Sequence, residues 1–391
     1  MKRAPITGAG TALAVLAAAC YAAGAALGYP VLIAFAVGAA ALLAAGGCAV
    51  AIRPSVQLTR EISGTRVTVG EQVAARILVR NTARRPSVPF TAVERIGDET
   101  VPLEIRALPP GGQRPVSYPV TGRRRGRVPL GPLTMERRDT LGLFRWARPQ
   151  TGEDVLWVHP RVHPMRALPV GIVLDYEGRI DENARIGTVT FSSLREYVPG
   201  DDPRRIHWRS TARTGKLIVR EHVDTTEPTT TVVLDTRADA YDDASFEHAV
   251  EVAASAVRAV ELVGRPVGLH ILGERPAAAR AAGAESALDR LALTAPDAAA
   301  GLAGLLALVD HAPGGGALVV VTGRAAPATL TRLADQRRRF RPVMLVSLLG
   351  GRTDGDTGQV PQRRLGVIVL PVRTADEAAA GWNQVVGGGS R

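Results

Sequence analysis

Side chains able to do acid–base chemistry are concentrated in one charged stretch of the chain, Ser193–Glu221. Asp201, Asp202 and His207 are the residues there that could serve as general acid and base. The same stretch could instead be a docking surface, or a brace whose ion pairs tie a linker to a domain. An active site needs a pocket with perturbed titratable groups, whereas a docking surface can be flat. We favour docking or bracing, so we predict no catalytic residue and a protein that is not an enzyme.

The predicted docking surface combines charged, aromatic and turn-forming side chains of this stretch. Its members are Arg195, Glu196, Tyr197, Gly200, Asp201, Asp202, Arg204, His207, Trp208, Arg213 and Lys216. Because Trp208 is the large aromatic among these charges, we expect it to be an anchor buried against a neighbouring domain.

Turn and helix signals divide the stretch into three elements. Pro199–Pro203 predicts a turn, since both prolines fix φ and the glycine between them tolerates positive φ. Arg204–Ala212 is predicted as a short helix that starts at Asp202 or Pro203. Lys216–Arg220 is predicted as a strand.

The order of these residues closely resembles the signature of the bacterial family called domain of unknown function 58. The matching positions are Leu194–Tyr197, Gly200–Asp202, Arg204–Trp208, Ser210, Ala212–Arg213 and Gly215–Leu217. Asp139–Phe144 resembles a second block of that family. The resemblance implies a von Willebrand factor A-like domain and a MoxR-type AAA ATPase as protein partner, but it implies no chemistry.

An A-like domain usually carries a metal site that begins Asp-x-Ser-x-Ser at the end of its first strand, a ligand set suited to Mg²⁺. This chain has Asp235, Thr236, Arg237 and Asp239 at that point. Arg237 would repel a divalent ion beside Asp235. We therefore predict a degenerate site and no cofactor. A divalent-metal-dependent, ligand-binding A-domain stays the alternative function.

No charged residue occurs from Ala4 to Ile52, which is long enough for two membrane-spanning helices. We predict spans over residues 8–27 and 31–52, divided near Pro30. A cleaved secretory signal is the competing interpretation, but a second apolar run follows the first. Basic residues flank the run on both sides, so the positive-inside rule predicts a multi-pass cell-membrane protein with cytoplasmic soluble domains.

Net positive charge is concentrated between residues 53 and 226, which hold 29 Arg and Lys against 19 Asp and Glu. Aromatic residues make up only 4% of the chain, which argues against nucleic acid and leaves the membrane as the favoured anionic neighbour. Arg123, Arg124, Arg125 and Arg127 form the densest basic cluster, either a solvated hairpin tip or a contact with lipid phosphate or a partner. No small-molecule substrate is indicated.

Hydrophobic periodicity predicts a multi-domain chain. Residues 1–53 are the transmembrane hairpin, and short alternating runs over 54–150 predict an antiparallel β-sandwich. Residues 151–228 hold linker strands and the signature. Continuous apolar strands alternate with helices over 229–391, which predicts a Rossmann-like α/β domain with a parallel sheet. We expect a membrane-anchored interaction or scaffold protein that serves the assembly or maturation of envelope or other complexes.

Overall fold

The structure is a computed structural model of the chain. It describes residues 6–150, 152–169, 193–198, 206–221, 228–242, 244–275, 285–349 and 361–387. The chain divides into two compact units, Met1–His159 and Pro160–Arg391. The predicted turn at Pro199–Pro203 lies outside the described residues.

Two apolar helices open the first unit, α1 (Gly8–Leu27) and α2 (Pro30–Ala51). Thr7 caps α1 by accepting a hydrogen bond from the Gly10 N–H, and Gly28 ends it in the left-handed region. Both helices are long and apolar enough to cross a membrane, and both lie near the N-terminus. The prediction of two such helices is confirmed, with a start one residue earlier for α2.

Ten strands follow, and they form two sheets that share one hydrophobic core. The strands β1, β3 and β6 form an antiparallel three-stranded sheet, while a seven-stranded sheet has the order β2-β10-β7-β4-β8-β9 with β5 paired to β4. The β2–β10 pair is parallel. The bounds are β1 Val56–Ile62, β2 Arg66–Thr68, β3 Gln72–Asn81, β4 Phe90–Ile96, β5 Glu99–Ile105, β6 Gln113–Thr121, β7 Gly126–Leu130, β8 Thr134–Arg138, β9 Arg145–Pro149 and β10 Asp154–His159.

A buried ion pair joins the two sheets. Arg60 on β1 lies with its Nη2 3.0 Å from Oε1 of Glu94 on β4, and both side chains are shielded from solvent. A charge without a partner at this depth would be costly, so the pair fixes how β1 lies against β4.

The second unit contains a short signature region followed by an α/β domain. Its elements are β11 Ser193–Glu196, α3 Trp208–Thr214, β12 Ile218–Glu221, β13 Thr230–Leu234, α4 Ser245–Leu262, β14 Val267–Ile271, α5 Ala287–Leu293, α6 Leu302–His311, β15 Leu318–Thr322, α7 Pro327–Asp335, β16 Val343–Leu348, β17 Gln362–Arg364, β18 Val367–Val372 and α8 Ala375–Gly387. The large sheet has the order β14-β13-β15-β16-β18-β17, and only the β17–β18 pair is antiparallel.

Both faces of this sheet are covered, which explains why its strands are apolar throughout. Val232 and Leu234 belong to a core that includes α4 and α8, whereas Val233 between them belongs to a core that includes α6 and α7. Successive side chains of a strand point to opposite faces, so a doubly covered strand needs apolar residues at every position.

Three element boundaries of the α/β domain have local causes. The helix α6 begins only at Leu302, because the Asp297 N–H donates to the Thr236 carbonyl and holds the preceding segment against the sheet. The strand β18 begins at Val367, because Leu365 and Gly366 adopt positive φ and form a turn from β17. The helix α7 ends at Asp335, and the chain continues as a 3-10 turn.

Candidate functional site

The described part of the signature is a strand pair with a helix between its strands. Glu196 of β11 lies opposite Ile218 of β12, and Arg195 lies opposite Val219. The Tyr197 N–H donates to the Leu217 carbonyl at 2.8 Å. Gly200, Asp201, Asp202 and Arg204 lie outside the described residues.

The helix of the signature starts later than predicted, and a different residue caps it. Ile206 is extended and forms a bridge with Val219, so the chain is not helical there. The helix α3 begins at Trp208, and Nδ1 of His207 accepts a hydrogen bond from the Ser210 N–H at 3.3 Å. The same nitrogen lies 2.7 Å from Oγ of Ser210. His207 therefore has a structural task as helix cap.

Trp208 is not the buried anchor that the sequence suggested. Its side chain is 67% exposed, because it occupies the first position of a helix whose described residues are all at least partly exposed. The apolar anchor of this region is Val219 of β12, which is buried beside Ile206. The prediction of a buried Trp208 is wrong.

Exposed cations follow this tryptophan along the chain. Arg209 and Arg213 are both exposed and lie one helical turn apart on α3, so they share a face. Lys216 follows the helix, and its Nζ lies 3.1 Å from Oε1 of Glu196, with both side chains largely in solvent. We call Trp208, Arg209, Arg213 and Lys216 the signature face.

A second candidate lies where β13 and β15 end, at the carboxyl edge of the parallel sheet, which is where ligands of such sheets bind. Asp235 follows β13 directly and is fully buried. Its carboxylate accepts from Arg237, with Nη2 2.8 Å from Oδ2 and Nε 3.1 Å from both oxygens. Oγ1 of Thr322 donates to Oδ2 at 2.6 Å, and the Arg237 N–H donates to Oδ1 at 3.1 Å.

The ion pair between Asp235 and Arg237 is held in place by its opposite charges and by its burial. The hydrogen bond from Arg237 to Asp235 raises the pKa of the guanidinium, and this outweighs burial, which acts in the opposite direction. The hydroxyl of Tyr241 donates to the Asp235 carbonyl at 2.7 Å, and burial raises the pKa of this tyrosine well above its usual value. A guanidinium thus lies directly against the Asp235 carboxylate, beside which the resemblance had suggested a divalent ion.

The other residues of the predicted degenerate metal site do not join this carboxylate. The hydroxyl of Thr236 donates to the Leu272 carbonyl at 2.9 Å, and Asp239 is exposed on a 3-10 turn. Across the described ranges of the chain, no group of three or more His, Cys, Asp or Glu side chains could hold a metal ion.

A third polar cluster escaped the sequence analysis. Nε2 of His163 lies 3.0 Å from Oε2 of Glu251 on α4, and its Nδ1 lies 2.9 Å from Oδ1 of Asp376 on α8. Nearby, the Trp382 indole donates to the Arg166 carbonyl at 2.8 Å. The segment from Pro160 therefore lies across two helices of the α/β domain. No local signal could reveal this, because the partners are far apart in sequence.

Comparison with known proteins finds a family that is similar to the signature and to the sequence after it. Residues 193–341 match the model of the family described as Protein of unknown function DUF58. The uncharacterized protein YeaD of Bacillus subtilis (strain 168) is 22% identical over 241 residues, which cover 56% of this chain. The match covers 56% of YeaD as well, so this chain spans about half of that relative.

Solved structures resemble the chain only weakly. The CARDB domain of the PF1109 protein from Pyrococcus furiosus is 11% identical, with a TM-score of 0.22 over 27% of this chain and 88% of that one. The alkylpurine DNA glycosylase AlkC of Pseudomonas fluorescens is 11% identical, with a TM-score of 0.20 over 27% of this chain and 30% of that one. Scores this low carry no argument about fold or function. The signature residues and the family model thus agree that residues 193–341 are similar to the DUF58 family, whose description states no function.

Proposed function

We propose that this chain is a membrane-anchored, non-enzymatic interaction protein that binds a protein partner through the signature face. The exposed Trp208 carries the proposal. An exposed tryptophan does not contribute the stability that burial of its large apolar ring would give, and the exposed Arg209, Arg213 and Lys216 follow it within eight residues. Tryptophan and arginine are the residue types most enriched where alanine substitution weakens protein interfaces.

The chemistry of the face defines the partner. An apolar pocket would take the indole, and carboxylates around that pocket would pair with Arg209, Arg213 and Lys216. The resemblance to the DUF58 family supports a MoxR-type AAA ATPase as this partner, and with it a role in the assembly or maturation of envelope or other complexes.

The contacts of His207 support a non-enzymatic role. Its Nδ1 is engaged with Ser210 at the start of α3, so an acid–base role would compete with the cap. The exposed position of α3 also differs from the water-excluding pocket that acid–base catalysis uses.

The α/β domain is proposed to be a von Willebrand factor A-like domain that works without a metal. Asp235 at the end of β13, next to β15 in a parallel sheet, supports the fold type. The guanidinium of Arg237 on that carboxylate supports metal independence, because it supplies a fixed positive charge and directional donors where an ion would bind.

Anchoring is proposed to run through α1 and α2 as a hairpin with both ends in the cytoplasm. The 20 and 22 residues of the helices correspond to about 30 Å each, the thickness of a bilayer's hydrocarbon core. Lys2 and Arg3 precede the hairpin and Arg53 follows it, which favours this orientation.

The test measures partner binding and folding on the same variants. The full chain in nanodiscs is titrated with the MoxR-type ATPase of the same genome, and Trp208→Ala is compared with Leu262→Ala. Leu262 is a matched control because it is 68% exposed at the end of α4. We expect Trp208→Ala to weaken binding by about 30-fold, and Leu262→Ala to leave it within about twofold. Equal affinity of both variants and the parent chain would refute the docking role.

A further inference from the structure

The connection between β8 and β9, residues 139–144, packs against the open end of the helical hairpin, where α1 begins and α2 ends. The Thr7 N–H donates to the Leu143 carbonyl at 2.8 Å, and the Thr7 hydroxyl donates to the Gly142 carbonyl at 2.7 Å. Ile6 forms an antiparallel bridge with Phe144. The guanidinium of Arg137 donates to the Ile52 carbonyl just after α2. We call residues 139–144 the basal loop.

Two glycines allow the basal loop to pack against the sides of α1 and α2 as well as against their ends. A Cβ at Gly10 of α1 would clash with the carbonyl oxygen of Leu143. A Cβ at Gly46 of α2 would lie 3.1 Å from Cδ2 of Phe144 and 3.2 Å from Oδ2 of Asp139. Gly46 precedes the last residue of α2 by more than one turn, so the loop reaches about 7 Å along the helix.

Asp139 gives the basal loop a fixed shape. Its Oδ1 accepts from the Phe144 N–H at 2.6 Å, and its Oδ2 accepts from the Leu141 N–H at 3.1 Å. Leu143 is buried, whereas Leu141 at the tip is 58% exposed. The loop therefore presents one apolar side chain beside helices that are themselves apolar.

A basic groove adjoins this loop. Its lining includes Arg106, Arg137, Arg138 and Arg145, with Glu104 and Glu136 as the acidic members. Arg138 and Arg145 both bind Glu136, and they pair across β8 and β9 at the end nearest the basal loop. The groove therefore keeps a positive surplus beside the helix ends.

The densest arginine cluster of the sequence lies at the opposite end of the β domain. Val56, where the chain leaves α2, pairs with Asn81 of β3, whereas Gln72 at the other end of β3 pairs with Thr121, just before Arg123–Arg125. Nine residues of extended strand separate the two ends by about 30 Å. The fold thus brings a different set of arginines to the hairpin.

We propose that the basal loop and the groove beside it form a membrane-interface site, in which Leu141 enters the bilayer surface and the arginines bind the headgroup of an acidic phospholipid. The proposal rests on the membrane anchoring argued above, because helices of bilayer length place their ends at the level of the headgroups. Arginine near an anionic leaflet is attracted to it, and an apolar side chain at that depth avoids water.

The first test measures depth with an environment-sensitive fluorophore on single cysteines of the full chain in nanodiscs that contain spin-labelled lipid. The chain has two cysteines, Cys20 and Cys48, so single-site labelling needs few substitutions. We expect blue-shifted, quenched emission at Leu141→Cys and at Cys20, and water-like emission at Arg124→Cys on the far end of the domain. Water-like emission at Leu141→Cys together with quenched emission at Cys20 would overturn the interface-site proposal and leave the membrane anchoring intact. An unquenched Cys20 would overturn the anchoring, and this proposal with it.

The second test counts bound lipid by native mass spectrometry of the full chain with phosphatidylglycerol or phosphatidylcholine. Arg106→Gln/Arg145→Gln is compared with Arg76→Gln/Arg114→Gln, a pair of exposed arginines on the three-stranded sheet that removes the same charge. We expect the groove variant to lower the preference for phosphatidylglycerol at least about fivefold, and the control variant to preserve it. Equal effects of the two variants would overturn the proposal. So would displacement of the lipid by inorganic phosphate, which would indicate a site for free anions.

Discussion

The signature face and the edge of the parallel sheet both concentrate charge, but they differ in how those charges are satisfied. At the sheet edge, Asp235 and Arg237 are buried and pair with each other. On the signature face, Trp208 is two-thirds exposed and the nearby cations reach into solvent. The charges of one region are paired within the chain, whereas the other region exposes an apolar ring and cations to solvent.

This difference shows why residue type alone is a poor guide to a site. The motif at Asp235 is one that the resemblance would have associated with a metal ion, yet its carboxylate already has a cation, a hydroxyl and a backbone N–H as partners. A buried charge must be paired inside the protein. The Asp235 carboxylate therefore already has its partners and has little capacity left for a ligand from solution. An exposed tryptophan is under no such constraint.

The largest effect is expected from breaking the buried pair. Asp235→Asn keeps the shape of the side chain but leaves the Arg237 guanidinium buried without a counter-charge, so the free energy of unfolding should fall by about 3–5 kcal/mol. Urea titration of the detergent-solubilised full chain measures this loss. A loss below about 1 kcal/mol would mean that Arg237 swings out to solvent and that the edge is not locked.

Removing the internal cation should convert the edge into a metal site. Arg237→Ser removes the guanidinium that lies against the Asp235 carboxylate and the Thr322 hydroxyl. Asp239 lies nearby in sequence, on the 3-10 turn that follows residue 237. We expect Mg²⁺ to stabilise this variant, by about 2.7 kcal/mol at a hundred times the dissociation constant, and to leave the parent chain unchanged. Melting temperatures with Mg²⁺ and with a chelator compare the two. A parent chain that Mg²⁺ stabilises would support the metal-dependent alternative instead.

Trp208→Ala should leave the free energy of unfolding within about 0.5 kcal/mol, because an exposed side chain loses few contacts. Trp382→Ala is the matched comparison, since Trp382 is fully buried on α8 and donates to the Arg166 carbonyl. Its loss should cost about 3–5 kcal/mol. Similar losses for both tryptophans would restore the buried anchor that the sequence suggested.

The smallest effect is expected at the exposed ion pair of the signature face. Lys216→Gln should change the free energy of unfolding by less than about 0.5 kcal/mol, since Lys216 and Glu196 meet in solvent. Its effect on partner binding should be larger at low salt and fade as the ionic strength rises. Salt-independent weakening would indicate that Lys216 makes a desolvated contact in the complex.

Local chemistry and periodicity determined much of this protein without reference to the fold. The uncharged run predicted α1 and α2 to within one residue, because helices of membrane length need long apolar composition. The apolar runs predicted β13, β15 and β16, because a strand covered on both faces leaves no position for a polar residue. The signature predicted the similarity to the DUF58 family that the family model finds over residues 193–341.

Only the tertiary structure decided which of these residues are exposed and which meet. The sequence around Trp208 is consistent with a buried or an exposed side chain. In the structure α3 begins at Trp208 and buries none of its residues, so the tryptophan is exposed. The clustering of Arg106, Arg137 and Arg145 beside the hairpin depends on strand pairing between distant segments, as does the contact of His163 with Glu251 and Asp376. Strand register and helix packing bring together residues that are far apart in the sequence, and local sequence patterns contain no information about such contacts.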